Sequence, residues 1–135
     1  MSGDLWMLDT NTVSDLIKHK DPSTTTRLAQ HDIRTVCISA VTEAELVYGL
    51  AKNPSATHLK TLVYAFLVRV TSLPWNSRVA STYGELRASI ESQGLSLGNL
   101  DLMIAAHAVS ARATLVTSDN GIKQIDGFVS VEDWR

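Results

Sequence analysis

The sequence predicts an α/β domain of three layers, with a mostly parallel central sheet of about five strands covered by helices on both faces. Three observations predict it. Short apolar, β-branched runs alternate along the chain with longer segments of helical periodicity. Strands in such an alternation are joined by crossovers that place a helix between neighbours. The strand segments are apolar at nearly every position, as a sheet buried on both sides requires. The 135 residues match one ordinary domain, and no linker, repeat or low-complexity segment divides 1–135.

The elements follow in order. Leu5-Trp6-Met7-Leu8 is a buried first strand that stops at Asp9-Thr10-Asn11, residues suited to a turn or a helix cap. A short helix over Val13 to Ile17 comes next, and Asp21-Pro22 supplies the N-cap and first-turn proline of another. Thr35 to Ser39 is a second strand; it leads into a helix over Ala40 to Lys52, where Val41, Ala44, Val47, Tyr48 and Ala51 recur at helical spacing. Leu59, Leu62, Val63, Phe66, Leu67 and Val70 mark an amphipathic helix from near Pro54 to near Val70, whose stripe serves either the core or an interface. Thr71 to Trp75 is a brief strand, and Val79, Tyr83, Leu86 and Ile90 line a helix that Gly94 terminates. After a loop over 94–98, Asn99 caps a helix that is apolar nearly all round. Ala113 to Thr117 is a strand ending at the turn Ser118-Asp119-Asn120-Gly121, and a last short strand lies around Phe128 to Val131.

Composition narrows the function. A single cysteine, Cys37, excludes an intramolecular disulfide and a cysteine-rich zinc cluster and suits a reducing compartment. The start of the chain lacks a signal peptide's basic flank and apolar run, and no apolar stretch approaches the ~20 residues needed to span a bilayer. A cytoplasmic protein is expected. The net charge of −2 is not that of an ordinary basic nucleic-acid binder, although metal bound by four carboxylates would tip the remaining balance positive.

Four acids fall where ligands gather in open parallel sheets, outside the carboxyl ends of the strands. Asp9 follows the first strand, Glu45 lies in the first turns after the second, Asp101 opens a late helix and Asp119 follows the next strand. Each has a local alternative. Asp9 could cap the following helix, Thr42-x-x-Glu45 reads as a capping box, Asp101 suits a helix dipole, and Asp119-Asn120-Gly121 is an ordinary turn. Their apolar flanks favour a shared purpose, because carboxylates gathered in such surroundings repel one another unless a cation binds. Oxygen donors without histidine or thiolate partners select Mg²⁺ or Mn²⁺ rather than zinc. His107 on its apolar helix and Cys37 in its strand are read as core residues. No G-x-S-x-G, G-x-x-x-x-G-K or G-x-G-x-x-G motif is present, so metal-assisted phosphoryl chemistry stands ahead of serine hydrolysis, nucleoside triphosphatase and dehydrogenase activity.

Leu8-Asp9-Thr10-Asn11, Ser39-x-x-Thr42-x-x-Glu45-Leu46-x-x-Gly49, Asp101-x-x-Ile104-Ala105-Ala106-x-Ala108, Thr117-Ser118-Asp119 and the closing Val131-Glu132-Asp133-Trp134 occur in this order. The set resembles the PIN-domain ribonucleases, specifically the VapC toxins of bacterial toxin-antitoxin pairs, over essentially the whole chain. The resemblance implies a PIN-like fold and one acidic pocket for Mg²⁺ or Mn²⁺, with Asp9 and Asp101 as chief ligands and Glu45 and Asp119 completing it. Glu45, not Glu43, matches the family position because it precedes Leu46 and stands four residues before Gly49. Asp119 and Asn120 compete for the fourth place. Thr117 or Ser118 would orient a water or carboxylate, and Asn11 would brace the loop around Asp9. The family further implies endonucleolytic cleavage of structured RNA, transfer RNA foremost, a VapB-type antitoxin that blocks the pocket, and a homodimer. Two other readings remain open at this point: a flavodoxin-like phosphoacceptor or phosphatase domain, which typically needs paired acids where Asp9-Thr10-Asn11 supplies one, and a non-catalytic binding module.

Overall fold

Side-chain alternation along the strands decides the layering. In the computed structural model, which describes residues 4–135, the strands are β1 (Trp6–Leu8), β2 (Val36–Ser39), β3 (Thr71–Leu73), β4 (Thr114–Val116) and β5 (Val131–Glu132). The first three residues of the predicted domain, and of the chain start read for a signal, lie outside the described residues. Met7, Cys37 and Leu115 enter one buried apolar cluster, while their neighbours Leu8, Val36, Ile38 and Val116 enter another. The period of two puts these clusters on opposite faces of the sheet.

All pairings are parallel, in the order β3-β2-β1-β4-β5, with Trp6 opposite both Val36 and Thr114 and Leu8 opposite Val116. A flavodoxin-like sheet would place its third strand on the far side of the first, whereas here β3 lies beyond β2, which removes that alternative as a fold. The carboxyl ends of β1, β2 and β4 therefore open side by side at one rim.

Among the described residues seven helices cover the sheet: α1 (Thr10–Lys18), α2 (Pro22–Ala29), α3 (Ala40–Ala51), α4 (Thr57–Arg69), α5 (Ser77–Ser92), α6 (Asn99–Ala111) and α7 (Asn120–Lys123), with a 3₁₀ turn at Ile33–Thr35. Leu86, Ile90, Leu102 and Ile122 of α5, α6 and α7 pack in the Met7 cluster, and Val13, Leu16 and Val63 of α1 and α4 in the Leu8 cluster. The α4 stripe is core: Leu59, Leu62, Phe66 and Leu67 pack on the Leu8 cluster, leaving Tyr64 and Val68 outside. Among the described residues no helix is long and apolar enough to cross a membrane.

Several boundaries shift for local reasons. The helix expected from Pro54 starts at Thr57, without a side-chain cap, because 53–56 is occupied by turn hydrogen bonds from Ala56 to Asn53 and Thr57 to Ser55. Asn99 is the first helical residue of α6 and Gly98 holds the cap position with no side-chain bond. The strand expected around Phe128 to Val131 is confined to Val131–Glu132, since Gly127 at φ 107° and the Asp126–Val129 bridge curl the preceding segment. Asp119 does more than turn the chain, for it accepts from the Ile122 amide at 3.0 Å and caps α7.

Candidate metal centre

The first acid is built by the end of β1. Asp9 leaves the sheet in extended conformation and accepts from the Thr12 amide at 2.8 Å, so it caps α1 as its local reading allowed. The capping role uses Oδ1, and the residue is only 3% exposed. Burial raises the Asp9 pKa above the ordinary carboxylate value; the Thr117 and Thr12 hydroxyls and the Thr12 amide pull it back, and the Asp119 charge adds to the rise. Thr117 thus serves both ends of the site, since its Oγ1 also accepts from the Asp119 amide at 3.0 Å.

Glu45 lies in the second turn of α3, and its Oε1 accepts from the Thr10 hydroxyl at 2.5 Å. Thr10 also donates to Thr42 at 3.3 Å. The capping box read at Thr42 does not form, because Ser39 is the N-cap of α3 through the Val41 amide and Thr42 is already helical and fully buried. Glu43 turns elsewhere: its carboxylate accepts from Ser72 of β3 at 2.7 Å. That divergence supports Glu45 as the acid at this rim.

Asp101 sits in the first turn of α6, half-buried. Its pKa is raised first by burial and then by the charges of Asp119, Asp9 and Glu45. All four predicted acids therefore share one electrostatic environment, although their nearest positions in sequence are far apart. Among the described residues, none of the four forms an ion pair with Lys, Arg or His. Nor do any three His, Cys, Asp or Glu side chains stand close enough to make a ready metal cage. The two facts are compatible, since Coulomb forces act well beyond coordination distance and four like charges with no cation between them repel. The donor set suits a hard divalent cation: it consists of carboxylate oxygens, with neither imidazole nor thiolate, and burial disfavours leaving Asp9 and Asp101 ionised with no partner.

The supporting residues divide. Thr117 is fully buried between Asp9 and Asp119 as described. Ser118 instead donates to Asp133 of the C-terminal tail at 2.8 Å. Asn11 is exposed and makes no side-chain hydrogen bond among the described residues; Thr12 and Thr10 brace the Asp9 turn in its place. Of the two contenders for the fourth place, Asp119 is the one whose charge reaches Asp9 and Asp101. Gly121 makes room for it, as a β-carbon there would come within 2.9 Å of the Asp119 carboxylate.

Sequence reasoning missed Thr10, although its place directly after Asp9 is a signal that could have marked it. It also missed the partner of His107, whose Nδ1 lies 2.7 Å from the buried Ser39 hydroxyl behind the rim. His107 is a core residue as read, and burial lowers its pKa. Burial likewise pushes the Cys37 thiol up to about 12, which keeps it protonated and unreactive.

Two cavities flank the acids. One of about 350 Å³ is bordered by Glu45, Lys52 and the apolar Leu46, Leu50 and Val63; the other, of about 360 Å³, is polar and bordered by Asp119, Ser118, Lys20 and Arg135. Asn11 and Ser14 of α1 border both. A mostly apolar cavity of about 450 Å³ between α1, α2 and α4 contains none of the four acids.

Comparison with known proteins identifies the family. The PIN domain model matches residues 6–128. Ribonuclease VapC2 of Rickettsia felis is 36% identical over 134 residues, covering 96% of this chain and 98% of that relative. The tRNA(fMet)-specific endonuclease VapC of Shigella flexneri is 33% identical over 129 residues, covering 96% and 97%. In the crystal structure of DNA-bound VapBC from Salmonella typhimurium, one chain superimposes with a TM-score of 0.88 at 33% identity, covering 98% of this chain and 100% of that one. Matched from β1 to beyond α7 by the domain model and over nearly its full length by these relatives, the chain belongs to the VapC family of PIN-domain ribonucleases.

Proposed function

We propose that this protein is a Mg²⁺- or Mn²⁺-dependent endoribonuclease, the toxin of a toxin-antitoxin pair, which cleaves structured RNA in the cytoplasm and thereby stops translation. The observation that carries the reading is the set of four acids at one rim of the sheet, none of which forms an ion pair among the described residues. Transfer RNA is the favoured substrate because a relative matched along its length is a tRNA(fMet)-specific endonuclease. A VapB-type antitoxin is the favoured partner, supported by the VapBC complexes among the structural neighbours.

Asp9 and Asp101 would hold the cation, with Glu45 and Asp119 completing the acidic set. A divalent ion bound there supplies a more acidic water and stabilises charge on the phosphodiester. The reaction adds one water across the P–O3′ bond: the water oxygen joins phosphorus, and the 3′ oxygen leaves and takes up a proton. The chain's own residues set the geometry. The Thr12 amide fixes Asp9, the Thr10 hydroxyl fixes Glu45, and Thr117 fixes the loop between Asp9 and Asp119. Target backbone in a loop or single strand can enter such a rim, whereas a duplex presents a surface too broad for it.

Asp101→Asn should lower cleavage of a tRNA pool by at least about a hundredfold, because even residues that merely support metal ligands typically cost 10–100-fold. The same change should abolish growth inhibition and leave the circular dichroism spectrum unaltered. Full activity in a folded Asp101→Asn protein would defeat the proposal, as would wild-type cleavage that survives exhaustive chelation. A catalytically inert binding module would bind the antitoxin without cleaving any RNA.

A further inference from the structure

The acidic rim needs help to hold its substrate. Four carboxylates repel an RNA backbone, so phosphates flanking the cleaved one must find cations nearby. Most of the basic side chains near the C-terminal tail are already engaged. Arg27 pairs with Glu132 at 2.8 Å and Lys123 with Asp133 at 2.6 Å, while on α5 Arg87 is tied to Glu91 at 3.0 Å. Lys20 is different, for among the described residues its ammonium has no ion pair.

The position of Lys20 is set locally. His19 ends α1 in the left-handed conformation, φ 51°, and the Lys20 amide then donates to Asp15 at 3.0 Å, turning the chain back along the helix. Lys20 thereby borders the same polar cavity as Asp119. Nine residues of α1 rise ~13 Å, so the Lys20 backbone lies at the far end of that helix from Asp9. Arg135 forms another wall: its Nε and Nη2 grip Asp15, and its Nη1 has no acceptor among the described residues. The cavity on the Glu45 side has an apolar floor, and Asn11 and Ser14 join the two along the exposed edge of α1. One end thus suits a base, and the other, where Lys20 and Arg135 share the wall with Asp15 and Asp119, offers cationic donors to a phosphate.

We propose that the polar cavity between α1 and the start of α7 is the subsite for an RNA phosphate next to the scissile one, with Lys20 supplying its charge and Arg135 a guanidinium donor. The subsite rests on the ribonuclease reading above and specifies how that site takes hold of RNA.

The test uses Asp101→Asn as the parent, so that binding is read without cleavage. Affinity for a fluorescent tRNA transcript is measured by anisotropy over a range of KCl concentrations. Adding Lys20→Gln should weaken binding several-fold and lower the slope of log affinity against log salt by roughly 0.7 to 0.9, the change expected for one lost phosphate contact. Lys20→Arg should keep both. Lys60→Gln, on α4, should also leave both unchanged. Equal affinity and slope in Lys20→Gln, or an equal loss in Lys60→Gln, overturns the subsite. If wild type cleaves RNA and the Lys20→Gln single variant does so with the same KM, only the subsite falls. If wild type neither binds nor cleaves RNA, the ribonuclease reading falls with it.

Discussion

The acidic rim and the C-terminal tail hold comparable numbers of carboxylates and treat them in opposite ways. In and around the tail three acids meet cations: Asp15 meets Arg135, Asp133 meets Lys123 and Glu132 meets Arg27. The Lys123 ammonium, the Arg135 amide and the Ser118 hydroxyl hold the Asp133 pKa below its ordinary value against the opposing effect of burial. At the rim Asp9 and Asp101 have no such partner, and burial raises both. Lys20, Lys52 and Arg135 border the flanking cavities, yet among the described residues no basic side chain pairs with any of the four acids. The rim's missing positive charge is therefore a local property of the site, and it points to a cation taken from solution.

The sharpest way to break this comparison is to neutralise the rim. Asp9→Asn keeps a residue able to cap α1, so its effect is on charge. Together with Asp101→Asn it should remove cleavage and, without divalent metal, raise the melting temperature at neutral pH. The sign follows from linkage: a carboxyl whose folded pKa is raised destabilises the fold when ionised, and that penalty fades as pH falls through the folded value toward the unfolded 3.8. The advantage of the double variant over wild type should therefore shrink on acidification. Mn²⁺ should reverse it at neutral pH, stabilising wild type by about 2.7 kcal/mol at a hundredfold excess over Kd while leaving the variant unmoved. A variant no more stable than wild type in the absence of metal would show that the rim is not frustrated.

A smaller effect is expected at Thr10. Thr10→Val removes the hydroxyl that holds Glu45 while preserving shape, and should lower cleavage by about tenfold at saturating metal, with a stability loss of about 1 kcal/mol. Unchanged activity would detach Glu45 from the reaction. Smallest of all is the tail: Lys123→Gln should cost about 0.5 kcal/mol in urea denaturation, because both partners remain partly exposed, at 37% and 32%. A loss several times larger would mean that the tail is more than a set of surface pairs.

The parts of the molecule that were readable in the sequence are those set by neighbours along the chain. Leu5 to Leu8 and Val36 to Ser39 announce strands buried on both faces because no polar residue interrupts their apolar stretch before its end. Asp21-Pro22 fixes the start of α2 for the same local reason. Asp9 and Asp119 were readable from strand ends and Glu45 and Asp101 from the early turns of helices, and their charges act on one another across the sheet's rim. What remained hidden depends on partners far off in sequence. The Thr10–Glu45 and Ser39–His107 bonds bridge segments that only the folded sheet brings together. The false capping box at Thr42 shows the limit of a local motif, since Ser39 takes the cap three residues earlier. At the tail, Arg135 reaches back to Asp15 across nearly the whole chain, a pairing no spacing rule contains.

The two outermost strands of the sheet carry three residues, Thr71–Leu73, and two, Val131–Glu132. Margins this short offer a passing chain too few free amides and carbonyls to copy, so folded molecules resist joining margin to margin into fibres even when crowded. Aggregation in this protein should consequently begin from opened molecules, in which the apolar inner strands become accessible.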